Sequence, residues 1–375
     1  MTRHAEIVGG GIGGLGLANC LARRGWTVQL HERGAEIREV GAGLYLRNNP
    51  LSVLEKLGLF AAVAKTGLPL DIERRCDRHG RTRHEQHSVG DQRMWALRRE
   101  DLIRTLEKGA RDAGVVIRTG SKIVRASGEG TIWAEDGSSF SGDLVVGADG
   151  YHSAVRKSLN LTKTYQQLPS VATRYIIPGR EFESMARTTM HWSGRRRVGV
   201  TPTSADATYI FLISPEDDAE GVSYPIDVVS WSSSFPALTG LFQKIAETPN
   251  EPLQHHYMVV EATQWSSGSA AILGDAAHGL PPLLGQGAGL ALSNAWALAS
   301  TLDQLPSVPA ALARWEQTYR RYADVTQKWS CRLDTLTWKW PTPLLAAREP
   351  VLHAIQTLPW WEREMHIADR FPIAA

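Results

Sequence analysis

Residues 7–32 read IVGGGIGGLGLANCLARRGWTVQLHE, and this stretch decides the fold. Ala5 to Val8 reads as a short buried strand and Gly9 to Gly14 as a glycine turn. Leu15 to Arg24 reads as a helix that stops at Gly25, and Trp26 to His31 as a second strand. A strand, a tight turn, a helix and a strand in this order imply a parallel sheet. Within Gly9-x-Gly11-x-x-Gly14 each glycine has its own task. Gly9 permits the tight turn, Gly11 lets backbone approach a pyrophosphate at the helix N-terminus, and Gly14 lets the helix lie close to the sheet. Glu32 ends the second strand at the spacing where an acid meets a ribose 2′-hydroxyl. A carboxylate there repels a 2′-phosphate. The motif alone does not say which dinucleotide is bound.

Working outward, Asn49 to Leu57 and Asp101 to Ala113 read as helices. Val115 to Arg118, Thr131 to Glu135 and Asp143 to Gly147 read as strands, the last running into Ala148-Asp149-Gly150. From about Gln166 to Val260 the text turns β-branched and aromatic, with RYIIPG, RRVGVTP, ATYIFLISP and HHYMVVEAT between turn signals. A mostly antiparallel sheet follows from that pattern. Ala270 to Asp275 returns to the first pattern as a strand. Gly287 to Leu302 and Ala310 to Thr335 are expected to be helical, and the tail beyond Pro341 is expected to wrap over the surface.

The 375-residue length suits two interlocked domains sharing a cleft. With 41 basic against 39 acidic residues, nothing asks for nucleic acid or an anionic membrane. Cys20, Cys76 and Cys331 cannot form a disulfide framework and match no zinc spacing, so no metal is expected and a reducing cytoplasm suits them. No signal peptide is visible at the N-terminus. The apolar stretch Ala270 to Ser300 is broken by Asp275, His278, Pro281 and Pro282, which argues against a membrane span.

A second constellation lies in AAILGDAAHGLPPLLGQGAGLALSNAWALA, residues 270–299. Asp275 follows a strand, where it can accept from a ribityl hydroxyl. Gln286, Gly287, Ala288 and Gly289 then open a helix whose free N–H groups and positive end suit the charge of a reduced flavin. Between the constellations, Arg99 precedes a helix and can reach phosphate, a task that Arg98 could equally perform. Asp149 ends a strand before Ser153 and Arg156. Ile12, Arg33 and Val124 complete the candidate cofactor set. His278 is read as a backbone anchor rather than an acid–base group.

The ordered set GxGxxG, Arg99, GADGYHSAVR and GDAAHGLPPLLGQGAG resembles the single-component FAD-dependent aromatic hydroxylases with the fold of p-hydroxybenzoate hydroxylase, over roughly residues 5–330. The resemblance implies an α/β chain. Its Rossmann-like FAD-binding domain is discontinuous, over 1–165 and 261–335. A mostly antiparallel substrate domain is inserted over 166–260, and a helical, proline-interrupted tail covers 336–375. It also implies that Asp149 serves both FAD and NAD(P)H and that Asp275 binds the ribityl chain. NAD(P)H, as NADH or NADPH, is a transient co-substrate without a fingerprint of its own. In that family NAD(P)H reduces FAD, O2 reacts, and a C4a-hydroperoxyflavin passes oxygen to an activated ring carbon. One departure stands out: Ser293-Asn294 occupies a place where relatives commonly carry Glu-Asp.

Local text such as GWTVQLHERGAEIREVGAGLYLRNN and YPIDVVSWSSSFPAL is similar to 2-methyl-3-hydroxypyridine-5-carboxylate oxygenase and 5-hydroxynicotinate monooxygenases. By that resemblance Tyr45, Arg174, Arg197, Tyr209 and Pro282 line the substrate pocket, while a further pocket tyrosine falls near Ile72 and is lost. Arginine would hold a ring carboxylate and tyrosine a ring hydroxyl. The expected reaction is monooxygenation of a 3-hydroxypyridine carboxylate, followed in that subgroup by ring opening. Three alternatives stay open. One is a phenolic hydroxylase acting on a hydroxybenzoate. Another is a halogenase, echoed faintly by Trp338 to Pro343, and the third is a flavin-binding module without catalysis.

Overall fold

The computed structural model describes residues 2–38, 42–88, 92–249, 252–356 and 358–373. The strand–turn–helix–strand unit at the start is His4–Val8, Ile12–Ala22 and Thr27–His31. The helix begins three residues earlier than its apolar run suggests, because Gly11 already acts as its N-cap in extended conformation. The two strands pair in parallel and join a six-stranded sheet. Its order is Ser266–Ser267, Ala270–Ile272, Leu144–Gly147, His4–Val8, Thr27–His31, Val116–Arg118. All its pairings are parallel except that of the two-residue edge strand. Residues 144–147 and 270–272 are buried throughout, the mark of a sheet covered on both faces.

Two helices run side by side on this sheet, Ile12–Ala22 and Gly287–Gln304. A Cβ on Gly13 would meet Ala291, and one on Gly16 would meet Leu292 and Ala295. At the far ends Arg24 donates to Ser300 and Asp303. The register rises on both chains together, so the helices are parallel and their N-termini lie at the same end. Small residues at the crossing allow that close approach.

The second sheet has seven strands, in the order Leu253–Ala262, Thr162–Pro178, Ala207–Pro215, Arg196–Ser204, Arg187–Ser193, Ile72–Asp77, Thr82–His87. It is antiparallel apart from the pairing of Ile72–Asp77 with Arg187–Ser193. The sheet thus draws on residues well before the β-rich text at 166–260. Helices Val228–Ser234 and Thr239–Glu247 cover its back, where Trp231, Phe235 and Phe242 pack on Tyr175, Ile177, Val198, Val200, Ile210 and Leu212. Side chains alternate across a strand, so Arg174, Tyr209, Phe211 and Arg197 face the other way, toward the parallel sheet. Three-stranded sheets, one of Gly43–Leu46, Met94–Arg98 and Leu68–Leu70 and one of Ser139–Ser141, Thr131–Ala134 and Ile123–Ala126, complete the layers.

The long helix Val308–Trp338 runs on to the antiparallel sheet, where Gln327 donates to the Val260 carbonyl and Asp334 meets Ser170 and Arg197. Beyond it the tail is helical, with Leu345–Gln356 and Pro359–Met365. No helix among the described residues is long and apolar enough to cross a membrane.

Candidate functional site

The glycine turn divides into two kinds of glycine. Gly9 has φ +106°, and a Cβ there would lie 2.3 Å from the Ala148 carbonyl oxygen. A Cβ on Gly14 would lie 2.0 Å from the Gly9 carbonyl oxygen. Both are locked by backbone contact. Gly11 has nothing within 4 Å of its Cβ position, and the same holds for Gly287 at the start of the second helix. The two parallel helices therefore each present an unobstructed glycine at the same end, and neither N-cap has a side-chain acceptor. Free N–H groups with a clear approach are what a pyrophosphate or a flavin carbonyl requires.

Glu32 accepts from the Gly10 N–H and the Gly34 N–H, each at 2.8 Å, and so holds the turn. Arg33 is exposed, Val124 is 44% exposed, and Ile12 points into the core. Asp149 accepts from the N–H groups of Ala154 (2.7 Å) and Val155 (3.3 Å) through Oδ2. Its Oδ1 is buried with no partner among the described residues. Burial pushes this carboxyl above the usual range, against the pull of Ser153 and the backbone N–H groups. An orphaned acceptor beside a nucleotide turn fits a hydroxyl-bearing ligand.

Arg98 and Arg99 part company. Arg98 reaches outward, 3.6 Å from Asp206, whereas Arg99 turns inward toward Asp275, Tyr151, Arg174 and Tyr209. Burial pushes the Arg99 guanidinium down and Asp275 holds it up. Asp275 is half-buried at the start of the short helix Asp275–His278. Burial raises its carboxyl, while Arg99 and a hydrogen bond from Tyr151 oppose that. Tyr151, which the sequence marks only as part of GADGYHSAVR, is held above the ordinary phenol range by burial and by Asp275. Arg156 is a structural clamp that donates to the carbonyls of Ala276 (2.9 Å) and Tyr151 (2.6 Å).

On the antiparallel sheet, Tyr209 lies over Gly43, where a Cβ would be 2.5 Å from the ring, and bonds to Arg174. Tyr45 lies over Gly285, whose Cβ position is 2.2 Å from its ring. Burial, with Glu73 nearby, pushes the Tyr45 phenol up to about 12. Arg174 donates to Nε2 of His255 at 2.5 Å. Burial first, then Arg174 and Arg99, push that imidazole down to about 4, so it is neutral and does not balance the charge of Arg174. The strand text HHYMVV gave no sign that His255 would reach a site arginine.

Arg197 behaves differently. It is 2% exposed and donates from Nη2 to Asp334 at 3.0 Å. Asp334, fully buried on the long helix, also accepts from Ser170. Nε and Nη1 of Arg197 are buried without a partner among the described residues. The charge of Arg197 is met, but two of its donor atoms are not. Pro282 sits exposed at the start of the turn Pro282–Leu284, whose Leu283 packs near Ala172, Ile213 and Tyr257.

His278 is not the backbone anchor expected: neither ring nitrogen has a hydrogen-bond partner among the described residues, burial pushes the imidazole down to about 4, and it packs on the Trp265 ring at 5.5 Å in the core. Asn294 turns back on its own helix and donates to the Leu290 carbonyl. Gln286, at the N-cap of the second helix, donates to Asp369 of the tail at 3.0 Å. Among the described residues no cluster of His, Cys, Asp or Glu is placed to hold a metal ion.

Comparison with known proteins adds four findings. A family model described as FAD binding domain matches residues 2–322. The chain is 37% identical over 336 residues to 2-heptyl-3-hydroxy-4(1H)-quinolone synthase of Mycobacteroides abscessus, covering 88% of this chain and 89% of that protein. It is 38% identical over 335 residues to a probable enzyme of that description from Rhodococcus erythropolis, covering 88% and 87%. Among solved structures it is similar to a variant of 2-methyl-3-hydroxypyridine-5-carboxylic acid oxygenase, with TM-score 0.87, 30% identity, and coverage of 100% of this chain and 99% of that one.

Proposed function

Because the chain belongs to the FAD-binding family of single-component flavin-dependent aromatic monooxygenases, we propose that it oxygenates a ring carbon of a 4-quinolone or a similar oxygen-bearing N-heteroaromatic. When bound, reduced by NAD(P)H and exposed to O2, FAD supplies the oxygen atom that enters the ring, the second oxygen leaving as water. The chain's own part is to hold, orient and keep dry. In this reading the Gly9–Gly14 turn and Glu32 carry the ADP end. Arg99, Asp149 and Asp275 serve the middle, and the N–H groups of Gly287, Ala288 and Gly289 serve the ring end. Tyr45, Arg174, Arg197 and Tyr209 orient the substrate.

The observation that favours a quinolone is the buried Arg197–Asp334 pair. A guanidinium already matched by a carboxylate offers N–H donors without net charge. Such a group suits a ring carbonyl better than a second carboxylate, whose burial would go uncompensated. The names of the two relatives agree with this choice. A second reading, a 3-hydroxypyridine carboxylate, is favoured by Arg174, whose charge the neutral His255 does not balance, and by the structural likeness to the pyridine oxygenase.

The test is a product-coupled oxidation screen. NAD(P)H consumption and hydroxylated product are measured together with 2-alkyl-4-quinolones, 3-hydroxypyridine-5-carboxylates and hydroxybenzoates. Full coupling on quinolones alone is the expected result. Coupling on a pyridine carboxylate, with quinolones inert, hands the site to the second reading, and coupling only on hydroxybenzoates defeats both.

A further inference from the structure

The family model ends at residue 322, yet the last segment of the chain returns to the cofactor cleft. Phe371 stacks on Tyr319, with centroids 5.0 Å apart and 17° between planes, and Trp329 donates to Glu364 at 3.0 Å. Asn49, on the helix Asn48–Lys56, donates to the Ala368 carbonyl at 2.8 Å. These anchors fix the turn Ala368–Arg370 against the loop that opens the helix Gly287–Gln304. There Oδ1 of Asp369 accepts from Nε2 of Gln286 at 3.0 Å, and its Oδ2 lies 3.0 Å from Nδ1 of His366.

We propose that Asp369 is a positioning residue for the flavin end of the cleft, acting through Gln286. The inference rests on the reading that FAD meets the chain at Gly287 to Gly289. Gln286 is 4% exposed and directly precedes the uncapped helix start. Its amide can present either end to that start, the oxygen as an acceptor or the NH2 as a donor. Asp369 decides between them. An ionised carboxylate only accepts, so it takes the NH2 end and turns the Gln286 oxygen toward the first turn. That oxygen lies 3.5 Å from the Cβ position of Gly289. Burial alone would push the Asp369 carboxyl up, but His366, Arg47 and Gln286 hold it down and keep it ionised. The tail therefore fixes which polar surface faces the ring, although it lies outside the matched family region.

The test is a double-mutant cycle on the full chain, read as the FAD dissociation constant from flavin fluorescence and as the visible spectrum of bound FAD. Gln286→Ala and Asp369→Ala are each expected to weaken FAD about tenfold, the scale of a charge-assisted hydrogen bond. The double variant should be no weaker than the worse single one, because both remove the same contact. Asp369→Asn keeps an acceptor and should recover most of the affinity and the wild-type spectrum. Additive losses in the double variant overturn the proposal, since a tail that merely stabilises the fold acts independently of Gln286. Native affinity in Asp369→Ala beside a weakened Gln286→Ala also overturns it. Unchanged affinity in Gln286→Ala instead removes the flavin-end reading on which it rests.

Discussion

The two sheets that flank the cleft carry their chemistry by different means. Along the parallel sheet the candidate site groups are mostly backbone, with unobstructed positions at Gly11 and Gly287 and carbonyl contacts that lock Gly9 and Gly14. On the antiparallel sheet they are side chains from separate strands, such as Arg174, Arg197, Tyr209 and His255. Asp334 joins them from a helix 137 residues beyond Arg197. A backbone site tolerates no added atoms where it is packed. A side-chain site tolerates no removed charges where it is buried.

The largest expected effect tests the second half of that contrast. Asp334→Ala leaves Arg197 buried and unmatched, and should cost about 3–5 kcal/mol of stability in urea unfolding. Replacing both partners by apolar residues of similar size, Arg197→Met with Asp334→Leu, should restore most of it. A loss under about 1 kcal/mol in the single variant would show that water reaches the pair.

Next comes the first half of the contrast. Gly14→Ala forces a Cβ against the Gly9 carbonyl, backbone against backbone, with no side chain able to swing aside. It should destabilise the protein by about 3 kcal/mol. Gly11→Ala meets nothing and should change stability by no more than about 0.5 kcal/mol, while weakening FAD binding because the methyl fills the approach to the helix start. Equal behaviour of the two variants in thermal unfolding and FAD titration would sink the distinction between packing and approach glycines.

The same contrast explains what could be read from sequence. The backbone site is written in short, contiguous text: Gly9 to Glu32 fixes a strand, a turn and a helix, and Gly285 to Gly289 fixes a helix start. The strands Ile72–Asp77 and Thr82–His87 are not legible in the sequence, because IERRCD and TRHEQH carry charges where a buried strand alternates; Thr82–His87 is the edge of the sheet, and the half-buried Ile72–Asp77 lies next to it. Helices Val228–Ser234 and Thr239–Glu247 hid in a region read wholly as sheet, since only their packing on the sheet's back reveals the Trp231 and Phe242 face. Arg174 and Arg197 are both candidates from sequence, but nothing near either residue in the chain distinguishes them. Their difference is a matter of partners, His255 and Asp334, which register and helix placement bring in from far along the chain.

The smallest effect compares the regions through protons. His278, behind the parallel sheet, and His255, on the antiparallel one, are both pushed down to about 4 from the ordinary value near 6.5. A folded-state value below the unfolded one means that the unfolded chain binds the extra proton. Stability from each neutral imidazole is therefore complete above about pH 6.5 and is lost as pH falls toward 4. Asp149 and Asp275, whose carboxyls are raised, act in the opposite sense, so the wild-type slope is a sum and only differences between variants are informative. In thermal unfolding between pH 7 and about pH 4.5, His278→Phe should flatten the slope more than His255→Gln. His278 is wholly enclosed, whereas His255 keeps some contact with water that screens its cost. If His255→Gln flattens it more, the charge of Arg174 outweighs burial at that site, and the antiparallel sheet is the more electrostatically strained of the two.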